Sequence, residues 1–268
     1  MNTPSNRPAK GKNRAKLDPV YDLETRERAL ALVSHGRSLN SVSKQTGISR
    51  AAIRQWQVRI EPISRTSKCS RPDDLATYSY LLGLYLGDGC LSRHPRGGYV
   101  LRIACADAWP GLITACRDAI LRVRPANSVY LVPKQGCVMV TGHSRHWPCL
   151  FPQHGPGKKH ERHIALEPWQ QQIVDAHPWE LIRGLIHSDG CRITNWTTRM
   201  VNGERKRYEY PRYFFTNASD DIVRLYTDTL DSLGVEWRTA RQSRRAQNVS
   251  VARRASVALM DAHVGPKY

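Results

Sequence analysis

Apolar residues between positions 24 and 60 recur at three- and four-residue steps, and this spacing predicts three short helices. The second helix covers about 39 to 45, and Gly47 after it favours a turn because glycine tolerates the left-handed conformation. Ser49 is a suitable N-cap for the third helix. The segment therefore predicts a small helical unit, whose first and third helices bury Leu30, Val33, Ile53, Trp56 and Ile60.

This pattern resembles the helix-turn-helix of transposases and bacterial regulators, and residues 23–60 would form that domain. Its third helix would be the recognition helix, with Arg50, Arg54 and Gln55 facing outward. Arginine and glutamine side chains can read base edges in the major groove of DNA. The sequence leaves one alternative open, a helical bundle that contacts another protein and has a solvated basic face.

The phrase GLYLGDGCL at positions 83–91 returns about 100 residues later as GLIHSDGCR at positions 184–192. Each copy ends an apolar stretch with helical spacing, and the Asp-Gly pair predicts the end of each helix. Because small residues let two helix backbones approach closely, we expect the two helices to pack against each other. The small residues stand four positions apart, at Gly83, Gly87, Gly184 and Ser188.

Such packing would bring the two motif aspartates, Asp88 and Asp189, together at the C-terminal ends of these helices. A carboxylate there faces the negative end of the helix dipole, and two neighbouring carboxylates also repel each other. The pair therefore indicates a site for a divalent cation.

LLGLYLGDG and IRGLIHSDG resemble two copies of the LAGLIDADG motif, the signature of a homing endonuclease family. The metal-binding acid of that family falls on Asp88 and Asp189, whereas the acid usual at the sixth position is replaced by Leu86 and His187. The resemblance implies a monomer that acts as a pseudodimer. Its fold would be α+β and pseudo-twofold, with two αββαββα halves whose saddle-shaped sheets hold double-stranded DNA. It also implies Mg²⁺ or Mn²⁺ as the cofactor of a site-specific endonuclease that hydrolyses both strands.

The predicted elements after the two motifs follow the same order in both halves, although the first hairpin of the second half is longer. The strands hold basic and polar residues that alternation would direct toward a DNA groove. We therefore predict DNA contacts by Arg93, Arg96, Arg102, Lys134, Gln135, Arg192, Arg199, Arg238, Arg241 and Arg244.

In the family that the motifs resemble, a lysine after the last helix of each half lies near the scissile phosphate. Lys158 and Lys267 occupy this place, with Lys159 as a rival for the first. Together with the two aspartates they are the predicted catalytic residues. The family also carries a polar Gln on the second strand, which falls here on Ala104 or Phe215. That role is therefore left unfilled or is taken by another residue.

The formal charge of +18, with 31 arginines and 10 lysines, favours nucleic acid as the partner. No apolar run is long enough to span a membrane, and no signal peptide is visible. We therefore expect a cytoplasmic, nucleoid-associated protein of a bacterial or phage-type cell. The expected divisions are a disordered basic arm at 1–22, the helix-turn-helix at 23–60, a linker at 61–73, and the two halves at 74–172 and 173–268.

Cysteine and histidine residues give a weaker signal of metal binding. The seven cysteines form no CxxC pair, and we interpret them as reduced thiols. Five histidines and Cys149 lie between positions 143 and 163, where their spacing could bind zinc. The alternative for this stretch is a loop on the DNA side.

A second function fits the same fold. Some bacterial regulators resemble these nucleases, combine the fold with a helix-turn-helix, and bind DNA without cutting it. Aspartates at both metal positions, Asp88 and Asp189, favour cleavage. The sequence thus predicts a metal-dependent nuclease, with a catalytically silent transcriptional regulator as the alternative.

Overall fold

A computed structural model of the chain describes residues 21, 23–58, 60, 71–95, 97–125, 128–241 and 246–268. The chain divides into two compact units, one up to Lys68 and one from Cys69 onward. The expected basic arm at 1–22 and linker at 61–73 lie almost entirely outside the described residues. Two of the predicted DNA contacts also lie outside them, Arg96 and Arg244.

The first unit holds three helices at the places that the apolar spacing predicts: α1 (Leu23–Ser34), α2 (Leu39–Thr46) and α3 (Arg50–Val58). Ser38 caps α2, and its Oγ accepts a hydrogen bond from the backbone N–H of Ser41 at 3.3 Å. Gly47 ends α2 with a φ of 72°, a left-handed conformation that favours glycine. The unit has its own small apolar core, formed by Ala29, Val42, Ile48, Ile53 and Trp56.

The second unit contains two halves with the same order of elements. The first half consists of α4 (Leu75–Asp88), β1 (Gly89–Arg93), β2 (Tyr99–Ala106), α5 (Pro110–Val123), β3 (Val129–Lys134), β4 (Cys137–Ser144) and α6 (Trp147–Leu150). A 3-10 turn (Lys159–Glu161) and α7 (Pro168–Ala176) follow. The second half consists of α8 (Pro178–Asp189), β5 (Gly190–Val201), β6 (Glu204–Asn217), α9 (Asp220–Ser232), β7 (Arg238–Arg241), β8 (Gln247–Val251) and α10 (Arg254–His263).

Each half builds one four-stranded antiparallel sheet. The strand orders are β1-β2-β4-β3 and β5-β6-β8-β7, so the two sheets are equivalent strand by strand. The predicted α+β fold of two αββαββα halves is therefore confirmed. The border expected between 172 and 173 falls inside α7, a helix that the sequence analysis did not predict.

The two motif helices, α4 and α8, form the centre of the second unit. All residues from 78 to 86 of α4 are buried, as expected for a helix that is apolar on nearly every side. In α8, the buried residues include Leu181, Ile182, Leu185 and Ile186. Both helices belong to one continuous apolar core that also contains residues of both sheets. The two motif helices are thus fixed by burial in the apolar core of the second unit.

The first hairpins of the two halves differ in length. The β1–β2 hairpin has five residue pairs, whereas β5–β6 has twelve and turns at Asn202 and Gly203, both with positive φ. At about 3.4 Å per residue, the additional pairs extend the second hairpin by roughly 24 Å. The second half therefore offers a longer basic surface than the first.

Five cysteines in the described part of the chain are free thiols: Cys90, Cys105, Cys116, Cys137 and Cys191. Cys149 is disulfide-bonded, so the interpretation of every cysteine as a reduced thiol is wrong at this position. Within the described ranges, none of the helices is both long and apolar enough to cross a bilayer.

Candidate metal centre and nucleic-acid interface

The motif helices touch through their glycines. A Cβ atom added to Gly83 would lie 2.6 Å from the carbonyl oxygen of Leu181 and 2.8 Å from the Cα of Gly184. A Cβ added to Gly184 would lie 2.2 Å from the carbonyl oxygen of Tyr80. These distances are far below normal van der Waals contact, so only glycine allows the two backbones to approach this closely.

One turn further along, the same seam sets the positions of the two aspartates. A Cβ added to Gly87 would lie 2.1 Å from Ser188 Oγ and 3.1 Å from Asp189 Oδ2. Asp88 is the next residue after Gly87 and ends α4, as Asp189 ends α8. The two carboxylates therefore lie at neighbouring helix ends, in one depression of about 450 Å³.

Both carboxylates lie where loss of a proton is costly. Burial raises the pKa of Asp88, although Lys267 and Lys159 oppose the rise. Burial, followed by repulsion from Asp88, raises the pKa of Asp189 to about 6. Solvent still reaches both groups through the open side of the depression. A cation in this depression would relieve the repulsion.

A lysine closes the C-terminal end of each motif helix. Lys159 Nζ donates to the carbonyl oxygens of Tyr85, Leu86 and Gly87 at 2.5, 2.9 and 2.7 Å. In the second half, Lys267 Nζ donates to the equivalent carbonyl of Ser188 at 2.8 Å. Cations are favoured at this end of a helix because the carbonyl groups there carry partial negative charge.

Burial lowers the pKa of both ammonium groups, that of Lys159 to about 8, although the two aspartates oppose this. Lys158, the first choice of the sequence analysis, lies on the rim of the depression, with an exposed side chain and its Nζ 3.6 Å from Glu161 Oε1. Lys159 therefore replaces Lys158 as the structural equivalent of Lys267.

Asn217, at the end of β6, was missed by the sequence analysis. Its Nδ2 donates to Asp189 Oδ2 at 2.6 Å, while its Oδ1 accepts from the backbone N–H of Ser219 at 2.7 Å. Phe215, the position on which the family's polar Gln falls in the second half, is buried opposite Gly190. Asn217 is two residues further on the same side of the strand, so the alternation of a strand could have found it.

The first half has no amide at the equivalent position. Ile103 pairs with Gly89 as Phe215 pairs with Gly190, so Cys105 corresponds to Asn217. Cys105 is buried, and its neighbour in the core is Cys116. The two aspartates thus have different surroundings although their helices are equivalent.

Oxygen ligands at this place fit Mg²⁺ or Mn²⁺. Magnesium is often held by one or two carboxylates and completed by water and substrate phosphates. Among the described residues, neither Asp88 nor Asp189 takes part in a salt bridge. The ammonium groups of Lys159 and Lys267 donate instead to backbone carbonyls, which leaves carboxylate oxygens for a cation.

The histidine-rich stretch at 143–163 does not bring three possible metal ligands together. In the part of the chain that the structure describes, no group of three or more His, Cys, Asp or Glu side chains is arranged to hold a metal ion. Within the stretch, His143 packs edge-on against His94 and Tyr130, and His154 against Tyr99.

Strand register divides the predicted DNA contacts into two groups. The core residues Leu101 and Ile103 mark the helix-facing side of the first sheet, and Phe215 marks that of the second. Side chains alternate along a strand, so the opposite side, which we call the outer face, is defined by register. The predicted contacts with outer-face register are Arg102, Lys134, Arg199 and Arg238.

The remaining predicted contacts lie elsewhere. Arg192 has helix-facing register, and its Nε and Nη2 donate to Asp261 Oδ1 and Oδ2 at 2.6 and 2.9 Å. Arg192 is thus held by an acid of α10, and its contact with DNA stays a prediction. Arg93 also has helix-facing register, at the exposed end of β1. Gln135 is exposed in the β3–β4 turn, and Arg241 pairs in register with Gln247.

In the first unit, Arg50, Arg54 and Gln55 are exposed on α3, whereas Ile53 and Trp56 are buried. α3 follows α2 after a three-residue turn that contains Gly47. The exposed side of α3 therefore carries the side chains that the sequence analysis assigned to base recognition.

No protein-family model and no curated protein matches the chain. Among solved structures, it is similar to mesophilic variants of the homing endonuclease I-DmoI, with a TM-score of 0.49, 15% identity, and coverage of 70% of this chain and 90% of that one. It is also similar to the N-terminal LAGLIDADG domain of WhiA, with a TM-score of 0.44, 14% identity, and coverage of 71% and 83%. The LAGLIDADG meganuclease I-AabMI, bound to uncleaved DNA, gives a TM-score of 0.44 at 12% identity, with coverage of 69% and 83%. The three solved structures named here are LAGLIDADG proteins.

Proposed function

We propose that the protein is a site-specific, metal-dependent endonuclease that hydrolyses both strands of double-stranded DNA. The observation that carries this proposal is the meeting of Asp88 and Asp189 at the paired helix ends, with raised pKa values and no salt bridge among the described residues. A regulator that only binds DNA has no need of two costly carboxylates at this place. The presence of both aspartates therefore supports chemistry at the site.

Asp88 and Asp189 would hold Mg²⁺ or Mn²⁺, which activates water and stabilises the leaving 3′ oxygen when bound. Asn217 would orient the Asp189 carboxylate through its 2.6 Å hydrogen bond. Lys159 and Lys267 would offset the negative charge that develops on the phosphate. Two acids and two lysines related by the pseudo-twofold suit a reaction on two antiparallel DNA strands.

The outer faces of the two sheets would contact the DNA on either side of the cleavage site. Their basic residues supply phosphate contacts, and exposed side chains such as Tyr130 and Tyr208 reach the bases. The longer β5–β6 hairpin would cover more DNA on the side of the second half. The bound site is therefore expected to be asymmetric, with a longer half next to this hairpin.

Metal binding by the aspartates is testable without a DNA target. We expect 10 mM Mg²⁺ or Mn²⁺ to raise the melting temperature of the wild type, because a ligand that binds the folded state stabilises it, by about 2.7 kcal/mol at a hundredfold excess over its Kd. Asp189→Asn should lose most of this gain. Asp228→Asn, which removes an exposed carboxylate on α9, is the matched control and should keep it. Equal gains in all three proteins would contradict metal binding at the helix ends.

Asp189→Asn should be more stable than the wild type when no metal is present. The folded state raises the pKa of Asp189 from 3.8 to about 6, so it holds this proton more tightly than the unfolded state. The free energy of unfolding therefore falls as pH rises from about 4 to 6, and the loss is complete above that range. Asp189→Asn removes a penalty on the order of 1 to 3 kcal/mol. Urea unfolding in EDTA should show this difference at pH 8 and little of it at pH 4.

The helix-turn-helix would add a second DNA contact through α3. We expect replacement of both Arg50 and Arg54 by Ala to weaken DNA binding about 10- to 100-fold and to reduce the slope of log K against log salt by about 2, since two phosphate or base contacts are lost. Arg28→Ala is the control, because Arg28 is an exposed arginine of the same unit and pairs with Glu24. If Arg28→Ala weakens binding as much as the double variant, α3 makes no specific contact.

A further inference from the structure

The chain after α10 makes a turn that directs it toward the metal centre. The backbone N–H groups of Val264 and Gly265 both donate to the carbonyl oxygen of Met260, at 2.8 and 3.2 Å. Gly265 has a φ of 71°, which lets the chain reverse at the helix end. Lys267 then reaches the Ser188 carbonyl beside the two aspartates.

Tyr268, the residue after Lys267, is fastened to α5 of the first half. A Cβ added to Gly111 would lie 2.0 Å from Cδ2 and 2.1 Å from Cε2 of Tyr268, so the ring lies directly on the glycine backbone. The carbonyl oxygen of Tyr268 accepts from the N–H of Leu112 at 3.2 Å. The cap residue of α5, Trp109, provides no side-chain acceptor, so Tyr268 satisfies an N–H that would otherwise lack one.

The segment that carries Lys159, the lysine of the first half, is attached to the opposite half in an equivalent way. Shortly after Lys159, the N–H of Ile164 donates to Asp221 Oδ2 at 2.8 Å, and His163 Nδ1 lies 2.9 Å from the same oxygen. Asp221 is in the first turn of α9, the helix of the second half that corresponds to α5. Each lysine-bearing segment is thus attached to the start of the middle helix in the opposite half.

We propose that Tyr268, seated on Gly111, is a positioning residue that holds Lys267 at the metal centre, and that Asp221 does the same for Lys159. A lysine side chain loses considerable rotamer entropy when its ammonium group is fixed, so a firmly held backbone lowers the remaining cost. The part that concerns cleavage rests on the proposed nuclease function. The positioning itself does not depend on it.

The positioning is tested by the reactivity of Lys267 toward an N-hydroxysuccinimide ester, measured by mass spectrometry on the full-length protein. We expect Tyr268→Ala and Gly111→Ala to increase the labelling rate of Lys267 at least about fivefold, because local opening exposes a buried amine. Tyr268→Phe should behave as the wild type, since it keeps the ring and the carbonyl. Tyr268 as a whole residue is 61% exposed and lies outside the apolar core, so removal of its ring leaves the core intact.

Lys159 is the internal control in this experiment, and its labelling should change only in Asp221→Ala. Unchanged labelling of Lys267 in both Tyr268→Ala and Gly111→Ala would overturn the proposal. Equal increases at both lysines in Tyr268→Ala would also overturn it, because they would indicate general loosening.

The rate of cleavage of each strand, measured on a target duplex whose two strands carry different labels, provides a second readout. Tyr268→Ala should slow the cleavage of one strand by about the same factor as Lys267→Ala. The double variant should cleave that strand no more slowly than Lys267→Ala alone. Asp221→Ala should slow the cleavage of the other strand. Equal slowing of both strands by each variant would contradict positioning of individual lysines. A wild-type protein that cuts no DNA would overturn the nuclease function, while the labelling result would still decide the positioning.

Discussion

Asp88→Asn and Asp189→Asn are each expected to reduce double-strand cleavage at least about a thousandfold, which corresponds to roughly 4 kcal/mol of transition-state stabilisation. Asparagine keeps the size of the side chain but loses the charge that would hold a divalent cation. DNA binding should stay within about tenfold of the wild type, because the two acids hold metal and do not read bases. Cleavage of a plasmid that carries the target, together with a gel-shift titration, measures both quantities.

Glu161→Gln is the matched control for these two variants. Glu161 is an acid close to the same depression, but its side chain is exposed and pairs with Lys158 on the rim. Its replacement should change cleavage less than about threefold, since an exposed ion pair contributes little. Undiminished cutting by both aspartate variants would end the nuclease assignment.

The second large effect is expected at the seam between the motif helices. Ala is usually favoured over Gly inside a helix by about 1 kcal/mol. At position 184, however, the new Cβ would lie 2.2 Å from the backbone oxygen of Tyr80, and backbone cannot move aside as a side chain can. We expect Gly184→Ala to lower the free energy of unfolding by about 1 to 3 kcal/mol. Cleavage should fall about a hundredfold, because a shift near 1 Å displaces Asp189 from Asp88.

Gln172→Ala is the control, because Gln172 lies at an exposed position of α7. It measures how an Ala substitution outside the seam changes the free energy of unfolding. Chemical denaturation of both variants separates the general effect of Ala from the close approach of the helices. A Gly184→Ala protein as stable and as active as Gln172→Ala would show that the glycine seam does not set the position of the aspartates.

Much of this site could be predicted from the sequence because each of the two motifs is a short, continuous stretch of residues. The spacing of Gly83 and Gly87, repeated by Gly184 and Ser188, indicated which faces of the two helices meet, and the following aspartates had to lie beside them. The pattern of apolar residues likewise located the three helices of the first unit and the repeated order of elements in the second.

Other parts depend on geometry that spacing does not contain. Lys158 and Lys159 differ by one position, and only the path into the 3-10 turn decides which ammonium group reaches α4. The side of the sheet on which Arg192 lies depends on the strand register, because a shift of one residue moves a side chain to the other face. The contact of Tyr268 with Gly111 joins distant positions of the chain and has no local signature at all.

Selection from a random double-stranded DNA library, once with Mg²⁺ and once with Ca²⁺, tests the central claim most directly. With Mg²⁺, we expect the wild type to produce breaks in both strands of one recurring sequence. With Ca²⁺, whose coordination is larger and more flexible, the same sequence should be bound and left whole. Asp88→Asn should bind it in either ion without cutting. Enrichment of one sequence that stays uncut by the wild type in Mg²⁺ would contradict the nuclease account and leave a DNA-binding regulator in its place.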